Sequence, residues 1–196
     1  KKSKPVFDKN KIRLTLYRPF CKQYLYLDDT FNESPGLSLR FFPDNESENL
    51  IICIPYKGVG EKFSIMISNT PADLHIIEQS QCFPMYVYDI ENKTKKIPKE
   101  NITDITLKEY QEFYNDNKIT KKDIFYYVYG LLHHPKFRKK YSNNFSKQLP
   151  YIPMAPKFSQ YVLAGKNLAK IHLNYEDGEK FNLGKPKTEQ FGKLKK

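Results

Sequence analysis

Thr120-Lys121-Lys122-Asp123-Ile124-Phe125-Tyr126-Tyr127-Val128-Tyr129-Gly130-Leu131-Leu132-His133 carries the helical period to which this chain changes after its Lys-rich stretch 93–99, and the fold class is read from it. Thr120 and Asp123 have the spacing of a capping box, with Asp in place of the commoner Glu, so a helix should open there and end near His133. Pro135 suits the first turn of a following helix that carries Lys136, Arg138, Lys139 and Lys140. Another helix is expected from about Lys157 to Leu173, where Phe158, Tyr161, Val162, Gly165, Leu168, Ala169 and His172 fall on one stripe. A short one spans Thr106 to about Tyr114.

Upstream the pattern has period two. Ile12 to Tyr17 and Gln23 to Leu27 read as strands, with Arg18-Pro19-Phe20 bending the chain between them. Leu50 to Pro55 and Phe63 to Ser68 flank Lys57-Gly58-Val59-Gly60, a hairpin loop able to reach into a groove, or a plain surface turn. Phe83 to Tyr88 is a further strand, in which Pro84 suits an edge or a strand start. The expected class is α+β: a strand-rich part over 12–92 forming one mixed or antiparallel sheet, then a helical part over 106–177. Residues 93–105 read as a linker or loop and 178–196 as a loosely held basic tail. Residues 1–11, rich in lysine and lacking a starting Met, read as a linker from an upstream domain.

The formal net charge is +11, but its distribution matters more than its sum. Residues 1–22 carry eight Lys/Arg against Asp8, and 180–196 carry six Lys against Glu189. Between them, residues 23–117 hold eight basic and sixteen acidic side chains, whereas 118–170 hold eleven basic ones and Asp123 alone. The second half of the body is thus the part suited to neutralising phosphates. A solvated lysine face is the plainer reading, since twenty-nine of the thirty-three cations are Lys, as an AT-rich coding sequence produces.

Cys21, Cys53 and Cys82 are odd in number and too widely spaced for a zinc knuckle; their apolar or aromatic neighbours predict buried, unpaired thiols. No run reaches the roughly 20 apolar residues of a membrane helix, and no signal peptide opens the chain; a cytoplasmic protein is expected. The chain lacks G-x-x-x-x-G-K-[ST], H-E-x-x-H, G-x-S-x-G and C-x-x-C, so no catalytic or metal-binding residue is assigned. His133 and His134 sit where imidazoles can cap a helix, and His172 reads as a hydrogen-bonded core histidine. Asp28-Asp29 reads as a turn start. The periodicity of Phe125, Tyr126, Tyr127 and Tyr129 on one helix, and of Tyr24 and Tyr26 on one strand, assigns them mainly to the core.

Tyr17-Arg18-Pro19-Phe20, Asp73-Leu74-His75, Phe83 to Tyr88, Asp123 to His133, Leu149-Pro150-Tyr151-Ile152-Pro153 and Leu168 to Glu176 occur in the order found in the C-terminal specificity domain of type ISP single-polypeptide restriction-modification enzymes, which the chain resembles over about residues 12–177. Cys21 and Tyr24 depart from the Asp and Trp usual after the first block, and residues 37–81 are the least recognisable. The resemblance implies a DNA target-recognition domain whose partners are double-stranded DNA and the upstream methyltransferase domain. It also implies a parent with a nuclease, an ATP-driven helicase-like translocase and an adenine methyltransferase using S-adenosylmethionine, ATP and Mg, with no cofactor in these residues.

Sequence reading requires polar side chains at base edges and cations at phosphates. The strand-rich part offers Arg18, Lys22, Gln23, Arg40, Lys57, Lys62, Asn69, His75, Gln79 and Gln81 for bases. The helical part offers Lys121, Lys122, Lys136, Arg138, Lys139 and Lys140 for the backbone. For Arg18, next to a Pro between two strands, the structural ion-pair role, with Asp28 as its acid, is the plainer reading. Two other classes stay open: a protein-interaction module of a larger DNA-processing enzyme, and a small metal-dependent nuclease built on Asp28, Asp29, Asp73 or His75.

Overall fold

A computed structural model describes residues 6–28, 30–32, 37–56, 63–89, 97–145 and 147–179. The strands form three antiparallel sheets rather than one. β1 (Ile12–Arg18) pairs with β2 (Cys21–Tyr26). A four-residue helix, α1 (Ser38–Phe41), precedes β3 (Ile51–Pro55), which lies between β4 (Met66–Ser68) and β5 (Ser80–Pro84). β6 (Tyr86–Tyr88) pairs with β7 (Pro98–Glu100). β7 and the start of α2 (Asp104–Tyr114) lie within the stretch read as a linker or loop. α3 (Lys121–His133), α4 (Pro135–Phe145) and α5 (Phe158–Leu173) follow close to their expected bounds.

The unbroken apolar run of β3 has a structural cause, because the strand is covered on both faces. Ile52 and Ile54 join the core made with Ile65, Ile67 and the helices. Ile51 and Cys53 point the other way, into a second core with Leu16, Phe41, Phe42, Met66 and Ile76. Alternation places successive side chains on opposite faces, so a strand inside a sandwich must be apolar at every position. The Phe83–Tyr88 strand divides at Met85 because the Asn49 side chain takes both backbone groups of Tyr86, accepting from its N–H at 3.0 Å and donating to its carbonyl at 2.7 Å. Pro84 ends the edge strand β5.

The capping box of α3 is formed: Thr120 Oγ1 accepts from Asp123 N, and Asp123 Oδ2 accepts from Thr120 N, each at 3.1 Å. α3 and α5 pack so closely that a Cβ on Gly165 would lie 1.9 Å from the Tyr126 carbonyl oxygen, and one on Gly130 would lie 2.3 Å from that of Tyr161. Lys166 and Asp123 pair across the helices at 2.8 Å. The connection into α5 is pinned by the buried Tyr127, whose hydroxyl donates to the Pro153 carbonyl at 2.6 Å and accepts from Ala155 N at 2.7 Å.

His172 is hydrogen-bonded as expected, its Nδ1 lying 2.5 Å from the Tyr129 hydroxyl. His133 does not cap carbonyls. Its ring packs between Tyr129 and His172 at 4.7 and 5.5 Å, and its buried Nε2 has no partner. Burial, then the proximity of His172 and Arg138, pushes its pKa down to about 4. In the unfolded chain an imidazole titrates near roughly 6.5, so below that pH the unfolded state binds the extra proton first. Stability is therefore fully present above about pH 6.5 and is lost as pH falls toward 4. The expected loss from this group between pH 7 and 5 is about 2 kcal/mol. Urea unfolding of wild type and His133→Phe at the two pH values should show the wild type losing that much more, and equal losses would exclude His133 as the source.

Candidate nucleic-acid interface

The polar side chains of the strand-rich part divide into those tied down and those presented. Arg18, at the end of β1, pairs with Asp73 at 3.1 Å and stacks over Tyr17 at 4.0 Å from the ring centre. Its expected partner, Asp28, instead pairs with Lys11 and accepts from Thr30 N at 2.7 Å, and these contacts hold its pKa down to about 2. Lys22 pairs with Glu176 at 2.7 Å and lies over Tyr175, with its pKa raised by the hydrogen bond to Glu176. Both cations therefore hold the β1–β2 turn in place, against the 71–76 loop and against the end of α5.

Asp73 is the hub of that loop. Its Oδ1 accepts from Arg18 and from the His75 N–H at 2.8 Å, while its own N–H donates to the Leu16 carbonyl at 3.0 Å. Ile76 N donates to the Asp73 carbonyl at 3.1 Å and Ser80 N to that of Leu74 at 2.7 Å, with Glu78 in the left-handed region at φ 56°. The result is a loop held by its own backbone that leaves Asn69, His75 and Gln79 exposed. Arg40 on α1 and Gln23 on β2 are also exposed. Gln81, on β5, lines a cleft of about 630 Å³ together with Leu25, Leu37, Asp73, Leu74 and Cys82. Lys57 and Lys62, with the Lys57–Gly60 loop, lie outside the described residues.

On the helical side the same sorting applies. Lys121 is only 14% exposed and bridges Asp104 at 2.5 Å and Glu100 at 3.0 Å, and these two acids, Asp104 first, raise its pKa. Arg138 donates to the Phe63 carbonyl and so ties α4 to the segment before β4. Lys122, Lys136, Lys139 and Lys140 are exposed. Spacings of three and four put Lys136, Lys139 and Lys140 on one face of α4. Phe137 and Phe145, 5.9 Å apart, form its inward side with Tyr141. No acidic residue occurs on α4.

Two expectations for other side chains are corrected. Cys21 is exposed on β2, a strand with no buried residue on either face. Tyr24, on the opposite face of β2, is 79% exposed rather than in a core. Tyr127 and Tyr129 are buried as expected. Among the described residues no three His, Cys, Asp or Glu side chains converge on one point, and Asp28 and Asp73 are occupied by separate cations; Asp29 lies outside the described residues. No helix among the described residues is long and apolar enough to cross a membrane.

A held polar loop on one side and an acid-free lysine face on the other define a domain suited to a polyanionic ligand. The Type ISP C-terminal specificity domain model matches residues 1–194, and the chain belongs to that family. Three of the solved structures similar to it are described by the complexes they come from. One, from a cryoEM study of a DrdV–DNA complex, is 33% identical with a TM-score of 0.83, covering 89% of this chain and 17% of that one. Another, a nuclease-deletion mutant of the Type ISP restriction-modification enzyme LlaGI in complex with a DNA substrate mimic, is 34% identical with a TM-score of 0.76, covering 92% and 15%. The ATP-dependent Type ISP enzyme LlaBIII bound to DNA is 28% identical with a TM-score of 0.79, covering 89% and 12%. This chain thus spans less than a fifth of the length of the solved chains it matches. No curated protein matches.

Proposed function

We propose that this chain is the DNA target-recognition domain of a Type ISP restriction-modification enzyme and supplies sequence specificity while the chemistry is performed by other domains. The observation that carries the reading is the fit, at a TM-score of 0.83 over 89% of the chain, to a protein solved as a DNA complex. The parent is proposed to join nuclease, ATP-dependent translocase and adenine methyltransferase activities, with S-adenosylmethionine, ATP and Mg bound upstream in a cytoplasmic enzyme. In this division of labour the loop carrying Asn69, His75 and Gln79, with Arg40, Gln23 and Gln81, reads base edges. Lys122, Lys136, Lys139 and Lys140 hold phosphates. A rigid loop suits the first task because direct readout requires donors and acceptors set before contact, whereas phosphate contacts fix position without reporting sequence.

The test is selection from a random pool of duplex DNA at two salt concentrations, followed by binding of two variants to the selected site. Replacing Lys136, Lys139 and Lys140 together by alanine should weaken binding to all sequences and reduce the salt slope by about 3, roughly 1 per phosphate contact. His75→Ala with Gln79→Ala should instead cost about 1–3 kcal/mol per lost base contact and relax the preference at particular positions. A pool that returns no enriched motif, bound only at low salt, would refute sequence readout by this domain.

A further inference from the structure

We propose that Cys53 and Cys82 form a reversible thiol–disulfide site, closed by a hydroperoxide and reopened by a small thiol. The two residues are register partners on β3 and β5, with their Sγ atoms 3.4 Å apart. Which kind of pair they form follows from the ladder. Met85 N donates to the Leu50 carbonyl at 2.7 Å and Tyr56 N to that of Gln79 at 2.6 Å. The hydrogen-bonded pairs are therefore Leu50 with Met85, Ile52 with Phe83, Ile54 with Gln81 and Tyr56 with Gln79. Cys53 and Cys82 fall between them, at a non-hydrogen-bonded pair, where α-carbons approach to about 4.5 Å and side chains come closest. That spacing lies inside the window of about 4.4–6.8 Å that a disulfide spans without moving the backbone.

The two thiols differ in access, and this sets the order of events. Cys82 lines the 630 Å³ cleft, while Cys53 is 0% exposed in the core formed with Leu16, Phe41 and Met66. The Cys53–Cys82 contact and the burial of Cys53 raise the Cys53 pKa, whereas the same contact lowers that of Cys82 against the opposing effect of its own burial. Oxidant entering the cleft therefore meets the sulfur that more readily becomes a thiolate. In the first step Cys82 sulfur attacks the hydroperoxide, the O–O bond breaks, Cys82 becomes a sulfenic acid and the other oxygen leaves with the thiol proton, as water when the oxidant is hydrogen peroxide. In the second, Cys53 sulfur attacks Cys82 sulfur, the S–O bond breaks, and the Cys53 proton departs with the hydroxyl as water. Two electrons pass from the sulfur pair to the peroxide. Cys21, exposed on β2 and remote in the sheet order, serves as the internal comparator.

The test uses the 196-residue chain, treated with hydrogen peroxide, unfolded, and alkylated with N-ethylmaleimide before intact-mass measurement and peptide mapping. The expected product lacks two hydrogens, takes up two fewer labels, and contains a Cys53–Cys82 linked peptide that dithiothreitol removes. Cys21→Ser should give the same product, with a urea midpoint higher after oxidation than before, and Cys82→Ser should give none. Retention of label at both Cys53 and Cys82 while Cys21 is consumed would overturn the proposal. So would a disulfide involving Cys21, or an unchanged product in Cys82→Ser. Should Cys82→Ser fail to fold, the Cys21→Ser chain alone decides through its mapped peptide and its midpoint.

Discussion

Gly165→Ala lowers the thermal midpoint of the domain by roughly 10 °C, a shift of about 3 kcal/mol for a chain of this size. Helix propensity alone points the other way, since alanine in a helix interior is favoured over glycine by about 1 kcal/mol. The sign is decided by what the new methyl meets. It would lie 1.9 Å from the Tyr126 carbonyl oxygen, a backbone atom inside α3 that no rotamer change can remove. α3 and α5 must then separate along a contact that also holds Gly130, whose own added carbon would sit 2.3 Å from the Tyr161 carbonyl oxygen. Separation opens gaps around Phe158, Val162 and Ala169, and the loss of packing adds to the overpacking cost of about 1–3 kcal/mol. Gly130→Ala should act in the same direction. A melt followed by far-ultraviolet circular dichroism decides it, and an unchanged or raised midpoint for Gly165→Ala would mean the helices are not in backbone contact.

The features legible in the sequence are those with local causes. The Thr120–Asp123 box starts α3 because two backbone donors find partners within three residues. Strands β1, β2 and β3 announce themselves through β-favouring residues, and α5 through one apolar stripe. What was not legible depends on residues far apart in the chain. Nothing near Arg18 indicates that its acid is Asp73 rather than Asp28, because the choice is made by the loop that docks Asp73 on Leu16. Lys121 and Arg138 look like the other lysines and arginines of a basic segment until Glu100, Asp104 and the Phe63 carbonyl are placed beside them. The single sheet expected from the strand count becomes three: Asn49 interrupts the ladder at Tyr86 and sets β6–β7 apart, while β1 meets the 71–73 segment through the isolated Leu16–Ala72 bridge.

The blocks that carry the family resemblance meet one another in space. Arg18 of the first block binds Asp73 of the second. Phe20, held at φ 58°, packs edge-on against His172 and Tyr175 of the last, and Tyr129 reaches the same histidine. Tyr127 holds Pro153. These side chains are committed to internal contacts, so they assemble the frame and are poorly placed to discriminate between DNA sequences. The exposed polar residues Arg40, Asn69 and Gln79 lie outside these blocks, in the least recognisable segment, and make no part of this frame.

Asn49→Leu is expected to cost about 3–5 kcal/mol, although the residue ends a polar run, Asp44-Asn45-Glu46-Ser47-Glu48-Asn49. Its carboxamide is 5% exposed and fully used: Nδ2 donates to the carbonyls of Phe41 at 2.9 Å and Tyr86 at 2.7 Å, and Oδ1 accepts from Leu50 N at 2.8 Å and Tyr86 N at 3.0 Å. An apolar side chain of similar volume removes all four bonds at once, and each backbone group left buried without a partner costs about 1–3 kcal/mol. The nearby Asn45 is exposed, and Asn45→Ala should stay within about 0.5 kcal/mol of wild type. Asn49→Asp separates the loss of hydrogen bonds from a loss of shape. It keeps the two acceptor contacts but turns an oxygen toward the Phe41 and Tyr86 carbonyls, so the folded variant favours the protonated acid and its pKa rises above the unfolded value near roughly 3.9. Stability contributed by that proton is present at low pH and lost as pH rises through the folded pKa, so the deficit relative to wild type should narrow between pH 7 and 4. A deficit for Asn49→Asp that stays constant with pH would show that the amide acts by packing alone.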